Sequence, residues 1–308
     1  MTWQTLVNPI RADNTSGATE LARAAAMAAL EWIDQTSSWP LPEWTAELSA
    51  FASALYMAQP AMAPLFNLVN NILLVSESTG VHQEVRPSVR CAVQDFLEQG
   101  DQANRSLAAA TLGLLPRDAR ILTYSYSSSV LTVLLEASAC QRLSAVFCTE
   151  SRPMLEGHRL TQELTTRGIA VEFGVDAAIA MFAERVHMAL VGADSITVQG
   201  VVNKLGTTGL ALACRHAGIP CYVVGDRHKW VPAAAAVPEF GQLKPEGEVW
   251  REPPAGVIIR NAYFECTPME LFSGIIGEDG PRQPEDLLQQ LIDMPVAQAL
   301  RCGVPGTH

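Results

Sequence analysis

Asp194, Asn203 and Lys204 lie close together in the stretch His187 to Trp230, HMALVGADSITVQGVVNKLGTTGLALACRHAGIPCYVVGDRHKW. A carboxylate, a carboxamide and an ammonium in one polar segment can hold sugar hydroxyls and a phosphate, or move a proton between carbons. Met188 to Val191 is an apolar run too short for a helix and is expected to be a buried strand. Gly192-Ala193-Asp194 would then place a carboxylate at the carboxyl edge of a sheet, where open α/β sheets bind ligands. From Thr207 the apolar residues recur at helix spacing until Gly218, and Cys221 to Val224 reads as the next strand. Lys204 beside the free amides after Gly206 suits an anion. The plainer alternative is that Asp194 caps a turn and Lys204 faces solvent.

Ser125 to Ser129 also falls between a strand and a helix, so its hydroxyls and amides could cradle phosphate, although serines cap helices generally. Arg152 follows a strand end and precedes a proline that fixes its backbone. Its guanidinium suits bidentate phosphate binding, or else a surface ion pair with Glu150 or Glu156. Asp194 is the best acid/base candidate, because burial can tune a carboxyl pKa. Asp176 reads as a helix cap. His187 and His216 read as packing or solvent residues, and His228 lies near the rim beside Lys229. Cys148 and Cys221 read as small buried hydrophobes.

The elements that position these residues divide the chain. Residues 1 to about 110 are alanine-rich, with helical patterns at Leu21–Trp32, Thr45–Met57, Ala63–Ser76, Pro87–Leu97 and then Arg105–Leu115. Gly100 to Asn104 is either a break or a turn. Beyond Pro116, strands at Ile121–Tyr124, Ala145–Cys148 and Ile169–Phe173 alternate with helices at Val130–Ala139, Glu156–Arg167 and Ala177–Glu184. That alternation predicts an α/β fold with a mostly parallel sheet. Val257–Ile259 is a further candidate strand, and the proline-rich residues 231–256 are expected to loop over the sheet edge.

The 308 residues are 48% hydrophobic and 17% charged, as in a globular, core-rich protein. A net charge of −11 without a Lys/Arg cluster argues against direct nucleic-acid binding. Seven cysteines with no CxxC pair fit reduced thiols better than a disulfide framework or a zinc site. No segment has the pattern of a signal peptide or a membrane span. A cytoplasmic protein with no metal and no cofactor is expected.

Four stretches together resemble one superfamily: ILTYSYSSSVLTVLLEA (121–137), CTESRPMLEGHRLTQEL (148–164), VGADSITVQGVVNKLGTTGLALAC (191–214) and RNAYFECTPMELFSGIIGEDG (260–280). It comprises the α, β and δ subunits of translation initiation factor 2B, ribose-1,5-bisphosphate isomerase and methylthioribose-1-phosphate isomerase. SGATELARAAA (16–26) matches the family's N-terminal helix more weakly. The resemblance implies a helical N-terminal domain (1–115), a Rossmann-like phosphosugar-binding domain (116–308), and a homodimer or higher homo-oligomer.

For the isomerases the resemblance implies a catalytic cysteine paired with the GAD aspartate. Asp194 matches the aspartate, but Ser125 stands at the cysteine position, and a hydroxyl is a far weaker acid than a thiol. Ser16-Gly17 stands where the isomerases carry a phosphate-binding Arg-Gly. Three readings follow. In the first, the chain is a metabolite-sensing or regulatory protein that binds a phosphorylated sugar or nucleoside monophosphate through Ser16, Gly17, Ser127, Ser128, Arg152, Asn203, Lys204 and Lys229. In the second, it is an aldose–ketose isomerase on a ribose phosphate such as ribose-1,5-bisphosphate, using Asp194 and Ser125 without a metal. In the third, it is an oligomeric scaffold with a vestigial pocket.

Overall fold

The structure is a computed structural model that describes residues 3–79, 82–235 and 240–301. Five helices come first: α1 (Gln4–Ala12), α2 (Ala18–Gln35), α3 (Leu41–Ala58), α4 (Ala63–Ser78) and α5 (Val85–Leu112). The first was not expected from the sequence, because Pro9 interrupts its pattern. Residues 100–104 are helical, and α5 runs unbroken through them. Alanines at the buried positions of α2 let its neighbours approach closely, while Trp32 stacks between Trp44 and Phe51. Burial of these three rings dominates the helical core.

The remainder alternates as predicted: β1 (Ala119–Leu122), α6 (Ser128–Ala139), β2 (Leu143–Thr149), α7 (Glu156–Thr166), β3 (Val171–Gly174), α8 (Ile179–Ala183), β4 (Met188–Val191), β5 (Ser195–Thr197), β6 (Gly200–Lys204), α9 (Thr207–Ala217) and β7 (Cys221–Val224). After a long irregular segment come β8 (Phe264–Thr267), β9 (Gly274–Gly277), β10 (Gly280–Arg282) and α10 (Pro284–Asp293). A seven-stranded sheet has the order β10-β9-β7-β4-β1-β2-β3, parallel except for β10. β5, β6 and β8 form a separate antiparallel sheet.

Two expectations needed correction. Residues 257–259 form no strand, and Ile258 is 76% exposed, because the chain there runs over the surface toward Asn261 and Tyr263. The third strand starts at Val171, two residues later than expected; Ile169 instead folds back on the end of α7, its amide bonding to the Leu164 carbonyl. Cys302 lies outside the described residues. Cys148, Cys214 and Cys221 are buried free thiols. Among the described residues, no helix is long and apolar enough to cross a membrane.

Strand order reverses between β1 and β4: the chain moves outward through β2 and β3 on one side, and through β7 and β9 on the other. The crevice at such a reversal, outside the carboxyl ends of the strands, is the site this topology builds. The Ser125 loop follows β1 and Asp194 follows β4, so both face that crevice.

Candidate functional site

Ser125 has a left-handed backbone (φ 64°), and its amide donates to Ser151 Oγ at 2.8 Å. Ser151 is also left-handed (φ 61°). The carboxylate of Asp176 holds that loop by accepting from the amides of Ser151 and Arg152, both at 2.8 Å. Asp176 is therefore not the helix cap expected from the sequence; it fixes the turn that fixes Ser125. Ser127 caps α6, its hydroxyl accepting from the Val130 amide. A Cβ on Gly192 would lie 2.5 Å from Ser127 Oγ, so the glycine of the Gly-Ala-Asp segment lets the start of α6 reach Asp194.

The N-terminal helices complete the crevice. The Ala63 amide at the start of α4 bonds to the Asp194 carbonyl and to Ser195 Oγ. Asn67 donates its side-chain amide to the carbonyls of His228 and Trp230, and so positions Lys229 between them. His228 stacks on Phe96 of α5 at 4.0 Å. Asp13 accepts from the amides of Thr15 and Ser16 and is held down at a pKa of about 2; the loop it folds leads into α2 at Gly17.

These residues line two adjoining cavities. A larger chamber is bordered by Ser16, Ser125, Glu156, Asp194, Asn203 and Lys204. A narrow neck is bordered by Gly17, Ser127, Ser128, Asp194, Asn203 and Lys229. At the neck the amino ends of α2 and α6 meet, and helix starts favour anions. Lys229 is 4% exposed, and its ammonium hydrogen-bonds nothing among the described residues. Burial lowers its pKa, opposed by Asp226 and Asp194. Beyond the neck, past Thr19, Ser128 and Lys229, lies a mostly apolar recess of about 210 Å³ walled by α2 and α5.

Asp194 lines both cavities. Burial raises its pKa from 3.8 to about 6, against the pull of Lys229 and Lys204 and with a smaller push from Glu156. A carboxyl near neutrality in pKa can accept and return protons at physiological pH.

Nine of the ten residues singled out from the sequence therefore border the chamber or neck: Ser16, Gly17, Ser125, Ser127, Ser128, Asp194, Asn203, Lys204 and Lys229. Of these, Lys204 is held by Glu156 at 2.6 Å. It does not face solvent, being 2% exposed. Arg152 is not brought to the site, because its guanidinium donates to the carbonyls of Glu248 and Val249 in the irregular segment. The amides at the start of α9 are not free either: those of Gly206 and Thr208 donate to Glu265 Oε1. Sequence reasoning considered Glu156 only as an ion-pair partner for Arg152, and it missed Tyr126 and Lys244. Tyr126 lies under the Arg159 guanidinium at 3.8 Å, and Arg159 in turn pairs with Glu20 of α2.

The profile of the Initiation factor 2 subunit family matches residues 14–284. The chain belongs to that family. It is 33% identical over 276 residues to a putative translation initiation factor eIF-2B subunit 2-like protein of Pyrococcus abyssi, covering 89% of this chain and 94% of the relative. It is 30% identical over 284 residues to the ribose 1,5-bisphosphate isomerase of Archaeoglobus fulgidus, covering 90% and 88%. The crystal structure of the Pyrococcus horikoshii translation initiation factor eIF-2B superposes with a TM-score of 0.80 at 30% identity, covering 93% of this chain and 98% of that one. The helical first part and mostly parallel sheet are thus those of this family.

Proposed function

We propose that this chain binds a phosphorylated pentose or nucleoside monophosphate and acts as a metabolite-responsive regulatory protein of its family. The phosphate lies at the neck, against the starts of α2 and α6 and the Lys229 ammonium. The sugar extends into the chamber toward Asp194 and Asn203. The observation that carries this reading is Lys229, a buried cation with no hydrogen-bond partner among the described residues, which lines the neck together with the first residues of α2 and α6. Ser125 at the position where the related isomerases carry cysteine favours binding over turnover. The chain works as a homodimer or larger homo-oligomer, as expected for its family.

Lys229→Met should weaken binding of ribose 5-phosphate by roughly 10- to 100-fold, the range for losing a charge-assisted hydrogen bond to phosphate. Isothermal titration calorimetry reads this directly. An unchanged affinity would remove the phosphate from the neck.

A second reading, aldose–ketose isomerisation, draws support from the raised pKa of Asp194 and from the relatives named as isomerases. In it Asp194 takes the proton from C2 of the open-chain sugar and returns it to C1, while the C2 hydroxyl proton passes to the C1 oxygen, so that the aldehyde becomes the ketone. NMR of the bound sugar phosphate decides: conversion to the ketose establishes isomerisation, and binding without conversion leaves the regulatory reading.

A further inference from the structure

The chamber differs in charge from the neck. Its two cations, Lys204 and Lys244, share the walls with three carboxylates, Asp13, Glu156 and Asp194, and Lys204 is held by Glu156 at 2.6 Å. Ser16, on the loop before α2, brings no charge. Arg152 and the first amides of α9, the other groups expected to meet phosphate, are bound to Glu248, Val249 and Glu265. Glu156 has a second oxygen, Oε2, which is buried and has no hydrogen-bond partner. A buried carboxylate oxygen without a donor is costly, and a hydroxyl supplied by a ligand would satisfy it. A second phosphate would bring two more negative charges beside it.

We infer that the site accepts a sugar carrying one phosphate and rejects the corresponding bisphosphate, and that Glu156 sets this preference by holding Lys204 and presenting Oε2 to a ligand hydroxyl. The inference rests on the phosphosugar reading above. The phosphate occupies the neck, and the hydroxyl-bearing end of the sugar faces Glu156. Replacing this carboxylate by an amide removes the ion pair on Lys204 and one negative charge from the chamber, and admits a second phosphate.

The test is calorimetric titration of the full chain at fixed ionic strength with ribose 5-phosphate, ribose 1-phosphate and ribose 1,5-bisphosphate. The wild type is expected to bind the tighter monophosphate at least tenfold better than the bisphosphate. Glu156→Gln is expected to shift that ratio at least tenfold toward the bisphosphate. Glu156→Asp, which withdraws the carboxylate by one methylene, serves if the amide variant fails to fold, and should shift the ratio in the same direction by less. A wild type that binds the bisphosphate as tightly as the monophosphate, or folded variants with an unchanged ratio, would overturn the inference while leaving the phosphosugar reading intact. Wild-type protein that binds none of the three would overturn both.

Discussion

Asp194→Asn is expected to be more stable than the wild type at pH 7 by up to about 3 kcal/mol, and no more stable than it below about pH 4. The folded protein holds this carboxyl at a pKa of about 6, against 3.8 when it is free in water. Below 3.8 the group is protonated in both states and costs nothing. Between 3.8 and about 6 the unfolded chain releases its proton while the folded chain retains it. Stability therefore falls as pH rises through that window, by about 1.4 kcal/mol for each pH unit crossed. Above about 6 the loss is complete. An amide cannot ionise and so escapes this cost. Urea denaturation at pH 4 and pH 7 measures it, and a gap that fails to open between the two would mean that Asp194 is well solvated. The same variant separates the two functional readings. As a hydroxyl ligand, asparagine should retain binding within about tenfold, a loss of one hydrogen bond; as an acid/base, it should abolish turnover while binding persists.

Gly157→Ala should destabilise the protein by about 4 kcal/mol or more, the range that marks a steric conflict within the core. An added Cβ would lie 1.7 Å from the Thr149 carbonyl oxygen and 2.8 Å from its carbon. Both are backbone atoms of β2, so no side-chain rotation relieves the contact, and α7 must move off the sheet. Glu156 precedes this glycine, so the displacement also pulls the carboxylate from Lys204. Gly209→Ala in the exposed start of α9 is the contrasting case. Nothing lies within 4 Å of its added Cβ, and the substitution should stabilise by about 0.5 kcal/mol through helix propensity. Thermal unfolding of both variants checks the pair; equal melting temperatures would show that α7 tolerates the shift.

The alternation of strands and helices beyond Pro116, the parallel sheet it requires, and the placement of Ser125 and Asp194 at carboxyl strand ends are all legible in the amino-acid order. Apolar periodicity reports burial directly, and strand ends follow from it. It missed β8, β9 and β10, which are only three or four residues long and lack a clear alternating pattern. The family motifs likewise located Asn203 and Lys204 without saying what they touch.

The partners of these residues follow from packing. Lys204 and Glu156 are 48 positions apart and meet because α7 and β6 converge on one crevice. Asn67 and Lys229 come together through the docking of α4 on the loop after β7. Arg152 leaves the site because carbonyls of a segment nearly a hundred residues away lie within its reach. A residue's type fixes what it can bind, but the choice among several competent partners depends on distances of a few ångströms. Those are set by how helices pack on the sheet, which local pattern does not encode.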